Sequence, residues 1–252
     1  MTANEMADAL DQKLDRAFSN GSPGYEDFDY TSVLTEAQQF YVKKFFDELN
    51  NRKSKGFQEI EIRNQGLGGL IKSPSSPLTV SASQTGVLPN EVFYDLPTDH
   101  MYTAYEHCVI DKLVCGSTVN YIVADVIPVA LHEVRRLEDN KYKKPFYKSY
   151  GNARVWRTEY SRATTGILPS APATAKRHGI ITDGTFSATS YIMRYVKNPL
   201  DIVVNRTTVA NQRNCELDTS THVVIVDIAY DLMLDRIKEQ SMQNIEPFKE
   251  LE

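Results

Sequence analysis

The sequence predicts an α+β protein in which a helical bundle carries a β- and loop-rich insertion. Two stretches near the start, 4–18 and 31–51, repeat apolar residues every three or four positions, as helices with one buried face do. A third such stretch begins near residue 219, whereas 57–215 holds short alternating runs and turn residues. None of the three helices can bury its apolar stripe alone, so we expect them to pack together.

The helices follow from their apolar spacing and their boundary residues. The first repeats Met6, Leu10 and Leu14, and the turn-forming run 19–24 ends it. In the second, Thr31 or Ser32 is the predicted N-cap, and the apolar positions are Leu34, Ala37, Phe40, Tyr41, Phe45 and Leu49. In the last, Thr219 or Ser220 is the predicted cap, and the apolar positions are Val224, Ile225, Ile228, Ala229, Leu232 and Ile237.

The intervening chain is expected to form short strands and loops. Strands are predicted at 57–62, 78–82, 91–94, 102–110, 119–126, 191–196 and 202–204, and a short helix at 129–138. Prolines and glycines between 141 and 177 predict a long loop there. The predicted division is therefore a bundle of 1–56 with 216–252 and an insertion of 57–215, forming one integrated domain.

Charge is distributed unevenly along the 252 residues. Residues 1–50 and 215–252 each carry a net charge of −6, whereas 141–213 carry +10. Such segregation predicts either self-association through opposite charges or a surface that meets a polyanion. The sequence shows no apolar run of the roughly 18 residues that a membrane span requires and no secretory signal, so we expect no membrane partner and synthesis in a cytosol.

Motifs for catalysis or cofactor binding are weak. Residues 66–69 form the one glycine cluster, but no lysine with Ser or Thr follows at phosphate-loop spacing. His100, His107, Cys108 and Cys115 are metal-competent but lack paired ligand spacing, and Cys215 with His222 lacks an orienting acid. We therefore predict no enzyme, no cofactor and no metal, with a metal-dependent hydrolase using His100 and His107 as the competing enzymatic hypothesis.

The basic centre, 141–162, alternates cations with aromatic residues. This mixture is typical of protein interfaces, of plain exposed loops and of surfaces that stack nucleic-acid bases. The residues predicted to form an interface are Lys143, Lys144, Tyr147, Arg154, Trp156, Arg157, Tyr195 and Pro199. A nucleic-acid-binding module built on 141–162 is the alternative function.

Three stretches resemble one known family: the helices at 6–18 and 34–49, the run 191–202 that contains Tyr195 and Pro199, and 215–229. They are similar to head–tail connector (adaptor, or ring) proteins of short-tailed bacteriophages, particularly of the crAss-like group. The resemblance implies a structural virion protein that is assembled in the host cytoplasm and forms a ring of about twelve copies in the neck. Its implied partners are copies of itself, the portal protein and the next tail or ring protein, with genomic DNA passing through the channel.

Overall fold

The computed structural model describes residues 1–18, 25–46, 66–74, 76–85, 88, 90–114, 117–148, 152–160 and 176–249. Among these residues, no helix combines the length and the apolar character that crossing a membrane requires. The chain divides into two compact units. The helical unit comprises Met1–Leu70 and Asn198–Glu252, and the sheet unit comprises Ile71–Lys197.

The main helices lie in the helical unit and the strands in the sheet unit. The helical unit contains α1 (Ala3–Phe18), α2 (Asp27–Phe46) and α4 (His222–Lys249). The sheet unit contains the short helix α3 (Val134–Glu138). Its strands are β1 (Ile71–Lys72), β2 (Leu78–Thr85), β3 (Glu91–Asp95), β4 (His100–Val114), β5 (Ser117–Pro128), β6 (Phe146–Lys148), β7 (Asn152–Tyr160), β8 (Arg177–Ile181) and β9 (Ser187–Lys197).

Seven of these strands pair in a closed circuit. From β9 the neighbours are β2, β3, β8, β7, β5 and β4 in turn, and β4 pairs with β9 again. The strands β1 and β6 lie outside the circuit, paired with β9 and β7. All pairs are antiparallel except β5 with β7. Parallel neighbours need a crossover connection, and residues 129–148, which include α3 and β6, supply it.

The sheet has apolar side chains on both faces. Side chains alternate across a strand, so Val155 and Ile180 join the main core, whereas the adjacent Trp156 and Ile181 lie on the other face. The main core also contains Tyr94, Cys108, Ile110, Tyr191 and Met193. On the second face, Val129 and Val134 pack with Trp156 and Ile181, so α3 covers the tryptophan.

In the helical unit, α1 and α2 each pack on α4. The predicted apolar stripe of α1, Met6, Leu10 and Leu14, is fully buried. Each of the two leucines contributes about 2 kcal/mol to the stability of the fold, because its side chain is removed from water. The irregular chain that follows the sheet unit supplies the buried Ile202 and Val204. It is attached to α2 by hydrogen bonds from Gln38 Nε2 to the Leu200 carbonyl (3.0 Å) and from the Val204 amide to Thr31 Oγ1 (3.0 Å).

Arg206 in the same irregular chain joins α1 to α2. Its guanidinium donates to Asp8 at 3.2 Å and to Asp11 at 2.6 Å. It also lies over the Tyr30 ring, 4.8 Å from the centroid, and its backbone amide donates to Asp27 at 2.9 Å.

The α+β class is confirmed, but the prediction of a helical bundle that carries an insertion is not supported, because the sheet is the dominant element. The helical core is also completed by irregular chain rather than by helices alone. Residues 198–215, assigned to the insertion from the sequence, lie in the helical unit.

The helices are confirmed, but two predicted caps are wrong. Helix α2 begins at Asp27 because the Asp29 carboxylate accepts a hydrogen bond from the Glu26 amide (3.1 Å), one turn before Thr31. At the last helix, Asp218 caps the preceding 3-10 turn by accepting from the Ser220 amide (2.9 Å).

The strands were predicted less completely than the helices. Those predicted at 78–82, 91–94, 102–110, 119–126 and 191–196 are confirmed. The long loop predicted over 141–177 is wrong where β6 and β7 form, because the β-branched and aromatic residues Val155, Trp156 and Tyr160 favour a strand despite the prolines and glycines nearby. The strand predicted at 202–204 is a single bridge between Val203 and Arg213, and the one predicted at 57–62 lies outside the described residues.

Candidate subunit interface

A short exposed turn after α3, residues 141–144, carries three lysines and one tyrosine. We call it the cationic loop. Asn140 organises it: its side-chain oxygen accepts from the Tyr142 amide, and its carbonyl accepts from the Lys143 and Lys144 amides, each at 3.0 Å. An asparagine that folds its own following turn gives a defined backbone, so the loop is a formed structure.

Two side chains of β7 attach the cationic loop to the sheet. Trp156 Nε1 donates to the Lys143 carbonyl at 3.0 Å, and Arg154 donates to the Tyr142 carbonyl at 3.1 Å. Trp156 is only 1% exposed, and Arg154 lies over the Phe146 ring, 5.1 Å from the centroid. The predicted interface residues Arg154 and Trp156 therefore support the loop from below.

The side chains of the cationic loop point to solvent. Tyr142 is 90% exposed, and the flanking Lys141, Lys143 and Lys144 are exposed as well. Folding alone does not favour a fully exposed aromatic ring between three cations. Aromatic residues flanked by charge are typical of binding surfaces.

Arg157 lies away from this loop, in a partly buried polar network. It donates to Glu106 at 2.9 Å, and Tyr191 donates to the same carboxylate. Burial raises the pKa of Glu106. Burial by itself would lower the pKa of Arg157, but the attraction of Glu106 outweighs it and raises that pKa. The pair is only 13% exposed on each side, so it ties β4 to β7 inside the unit.

Two histidines border the same network. His178 Nδ1 is hydrogen-bonded to Tyr191 at 2.9 Å, and the His100 ring packs edge-on against His178. Burial, followed by the nearby charge of Arg157, lowers the pKa of His178 to about 2. Burial and the charge of Lys176 lower the pKa of His100 to about 4. Both rings are therefore neutral at physiological pH.

The remaining predicted interface residues are spread over both units. Tyr147 packs on the main core of the sheet near Phe186. Tyr195 is buried and donates to Asp99 at 2.9 Å, and burial together with this bond raises its pKa to about 12. Pro199 is buried in the helical unit. The structure thus brings Lys143, Lys144, Arg154 and Trp156 together, and contact of all eight residues with another chain stays a prediction.

The helical unit carries a second unusual surface, which the sequence analysis missed. Val223 and Val224 at the start of α4 are 57% and 44% exposed. Asp227, Asp231 and Asp235 follow Val223 at intervals of four, so these residues form one exposed row, which we call the α4 ridge. β-branched residues slightly lower helix propensity. The sequence analysis assigned Val224 to the apolar stripe of this helix, and that assignment is wrong, since the side chain is exposed.

The chemistry considered from the sequence gains no support from the geometry. His107 and Cys108 are neighbours on β4, so their side chains leave opposite faces of the sheet. Within the described ranges, which omit Cys115, no three metal-binding side chains converge. Burial raises the pKa of Cys215 to about 11, and His222 Nε2 is occupied by the Leu217 carbonyl at 3.1 Å. Cys215 is therefore not an activated nucleophile.

The two units carry opposite charge. The helical unit holds 22 acidic and 13 basic residues, a net charge of −9, and the sheet unit holds 11 acidic and 15 basic residues, a net charge of +4. The segregation seen along the sequence thus coincides with the division of the fold. Each chain thus carries the cationic loop on its sheet unit and the α4 ridge on its helical unit.

Comparison with known proteins identifies the class. Residues 1–244 match the sequence pattern of a protein family described as phage tail ring proteins. The chain is therefore of the structural, ring-forming class found in bacteriophage virions. It belongs to the phage tail ring protein 3/4 family of crAss-like phages. It is similar to Ring protein 4/5 of Bacteroides phage crAss001, with 25% identity over 242 residues that cover 92% of both chains. The expected resemblance to crAss-like ring proteins is confirmed.

Proposed function

We propose that this chain is a non-enzymatic structural subunit of the phage neck, where about twelve copies form a ring between the portal protein and the tail. The ring surrounds the channel through which genomic DNA leaves, and it contacts the portal on one side and the next ring or tail protein on the other. Assembly takes place in the host cytoplasm, and the subunit is carried in the virion.

The opposite charge of the two units is the observation that carries this proposal. A cyclic ring with head-to-tail contacts needs two different, complementary surfaces on each subunit. A helical unit of net charge −9 and a sheet unit of net charge +4 provide surfaces of opposite sign. Such complementarity favours the head-to-tail orientation over pairing of like faces, because like charges repel.

Mass photometry and electron microscopy of the purified chain, alone and with its cognate portal protein, test the proposal. We expect closed rings of about twelve subunits, formed by the chain itself or on the portal. A chain that remains monomeric under both conditions contradicts it. A second, unrelated phage portal serves as the control for nonspecific stacking.

The cationic loop favours one alternative, direct contact with nucleic acid. Three exposed lysines surround an exposed aromatic ring, which is the composition of surfaces that bind phosphates and stack bases. Because Arg157 is paired inside the unit, the available footprint is small. Binding to duplex DNA should then fall with salt with a slope of about −3 in log–log form, and mutation of the three lysines to alanine should abolish it. A chain that does not bind DNA at low salt excludes this role.

A further inference from the structure

The α4 ridge and the cationic loop have complementary chemistry. Val223 and Val224 form an exposed apolar pair at one end of the ridge, and carboxylates follow one and two helical turns away. The loop presents one exposed tyrosine between lysines on both sides. Apolar and cationic groups on one surface thus match apolar and anionic groups on the other.

The carboxylates of the ridge are accessible. The side chains of Asp227 and Asp235 are 53% and 72% exposed, although they also pair with Lys13 and Lys238. Asp231 lies between them on the same exposed row. An incoming lysine side chain therefore has carboxylates within one turn of the valine pair, since each turn advances about 5.4 Å.

We propose that the cationic loop of one copy docks on the α4 ridge of the next copy, with Tyr142 covering Val223 and Val224 and the lysines pairing with Asp227 and Asp231. This inference rests on the proposed ring and names the surfaces that close it. The contact joins different patches of identical chains, so it repeats from copy to copy, and it closes a cycle when the rotation between neighbours divides a full turn evenly.

A second copy explains both surfaces better than nucleic acid does. DNA would account for the lysines, but it would leave the apolar pair on α4 exposed to water and would be repelled by the acidic row. The pre-formed backbone of the loop, attached through Trp156 and Arg154, also suits a protein contact, because little conformational entropy is lost on docking.

Charge reversal on each surface tests the pairing. The loop variant is Lys141→Glu/Lys143→Glu, and the ridge variant is Asp227→Lys/Asp231→Lys, which reverses the two carboxylates of the proposed pairing. Each should weaken self-association at least about tenfold in sedimentation velocity and abolish rings in electron microscopy. The control, Arg135→Glu/Arg136→Glu, reverses two exposed charges of α3 in the same unit and should assemble like the wild type.

Rescue separates pairing from misfolding. A chain that carries both reversals should form rings again, and so should an equimolar mixture of the loop variant and the ridge variant, because each acidic loop then meets a basic ridge. Rings that form normally from either single variant, or a combined chain that fails to recover, overturn the pairing. Loss of DNA binding without loss of rings in the loop variant also overturns it. If the wild type never forms rings, the proposed function fails.

Discussion

Replacing Trp156 by phenylalanine removes the attachment of the cationic loop while keeping an aromatic ring in place. The Trp156 indole is almost completely buried, and its Nε1 donates to the Lys143 carbonyl at 3.0 Å. That hydrogen bond contributes about 1 kcal/mol. The smaller ring leaves a void of roughly 35 Å³, which at about 24 cal/mol per Å³ costs roughly another 1 kcal/mol. We expect the free energy of unfolding to fall by about 2 kcal/mol.

Urea denaturation followed by circular dichroism measures this loss, since the variant lacks the single tryptophan needed for fluorescence. Hydrogen exchange adds a local readout: the Lys143 and Lys144 amides, which donate to Asn140, should exchange faster in the variant. Tyr142→Ala is the matched control, because a 90% exposed side chain should change stability by less than about 0.5 kcal/mol. Unchanged exchange at residues 143 and 144 in the Trp156 variant would refute the idea that β7 holds the loop.

Three further substitutions test the fold. Gly179→Ala should destabilise the chain by about 3 kcal/mol in urea, because an added Cβ would lie 2.1 Å from Glu91 Oε1, whereas Gly68→Ala has open space and should be neutral. The pKa of His178 is lower in the folded chain than in the unfolded chain, so below about pH 6.5 the unfolded chain binds a proton that the folded chain does not. The free energy of unfolding should therefore fall by about 1.4 kcal/mol for each pH unit below that value. His178→Asn should reduce that slope by about 1.4 kcal/mol per pH unit between pH 6.5 and 4.5, leaving the share of His100, whose pKa is also lowered, and an unchanged slope would assign it to other groups. Arg206→Met should lower the free energy of unfolding by only about 1 kcal/mol, because water partly screens the exposed ion pairs that it removes. In 1 M salt, the difference in stability between this variant and the wild type should become smaller.

The sequence predicted those elements whose signal is local. Met6, Leu10 and Leu14 share a helix face because of their spacing alone, and the structure buries all three. Helix ends were less predictable, because several residues compete as caps within one turn. At α2, Asp29 bonds to Glu26 and thereby moves the start ahead of Thr31.

Non-local pairing accounts for most of what the sequence did not reveal. The closing of the circuit depends on β9 meeting both β4 and β2, which are separated from it by about a hundred residues of chain. The position of each predicted interface residue also depends on long-range pairing, because the sequence of β7 does not show which of its cations face solvent. Pairing with Glu106 places Arg157 inside the unit, while Lys143 stays outside.

The closed circuit of strands affects how copies of this chain can meet. Strands with unpaired backbone groups are templates for further strands, and chains brought together at high local concentration can then grow into fibrils without limit. Over their paired stretches, the seven strands of the circuit already use both backbone edges within one molecule. Among the described strands, β1 and β6 pair on one side only, so a free backbone edge is confined to these two short strands. Contacts made by the circuit itself then proceed through side chains, whose geometry fixes the angle between neighbouring copies. An angle that divides a full turn evenly ends growth when the first copy meets the last.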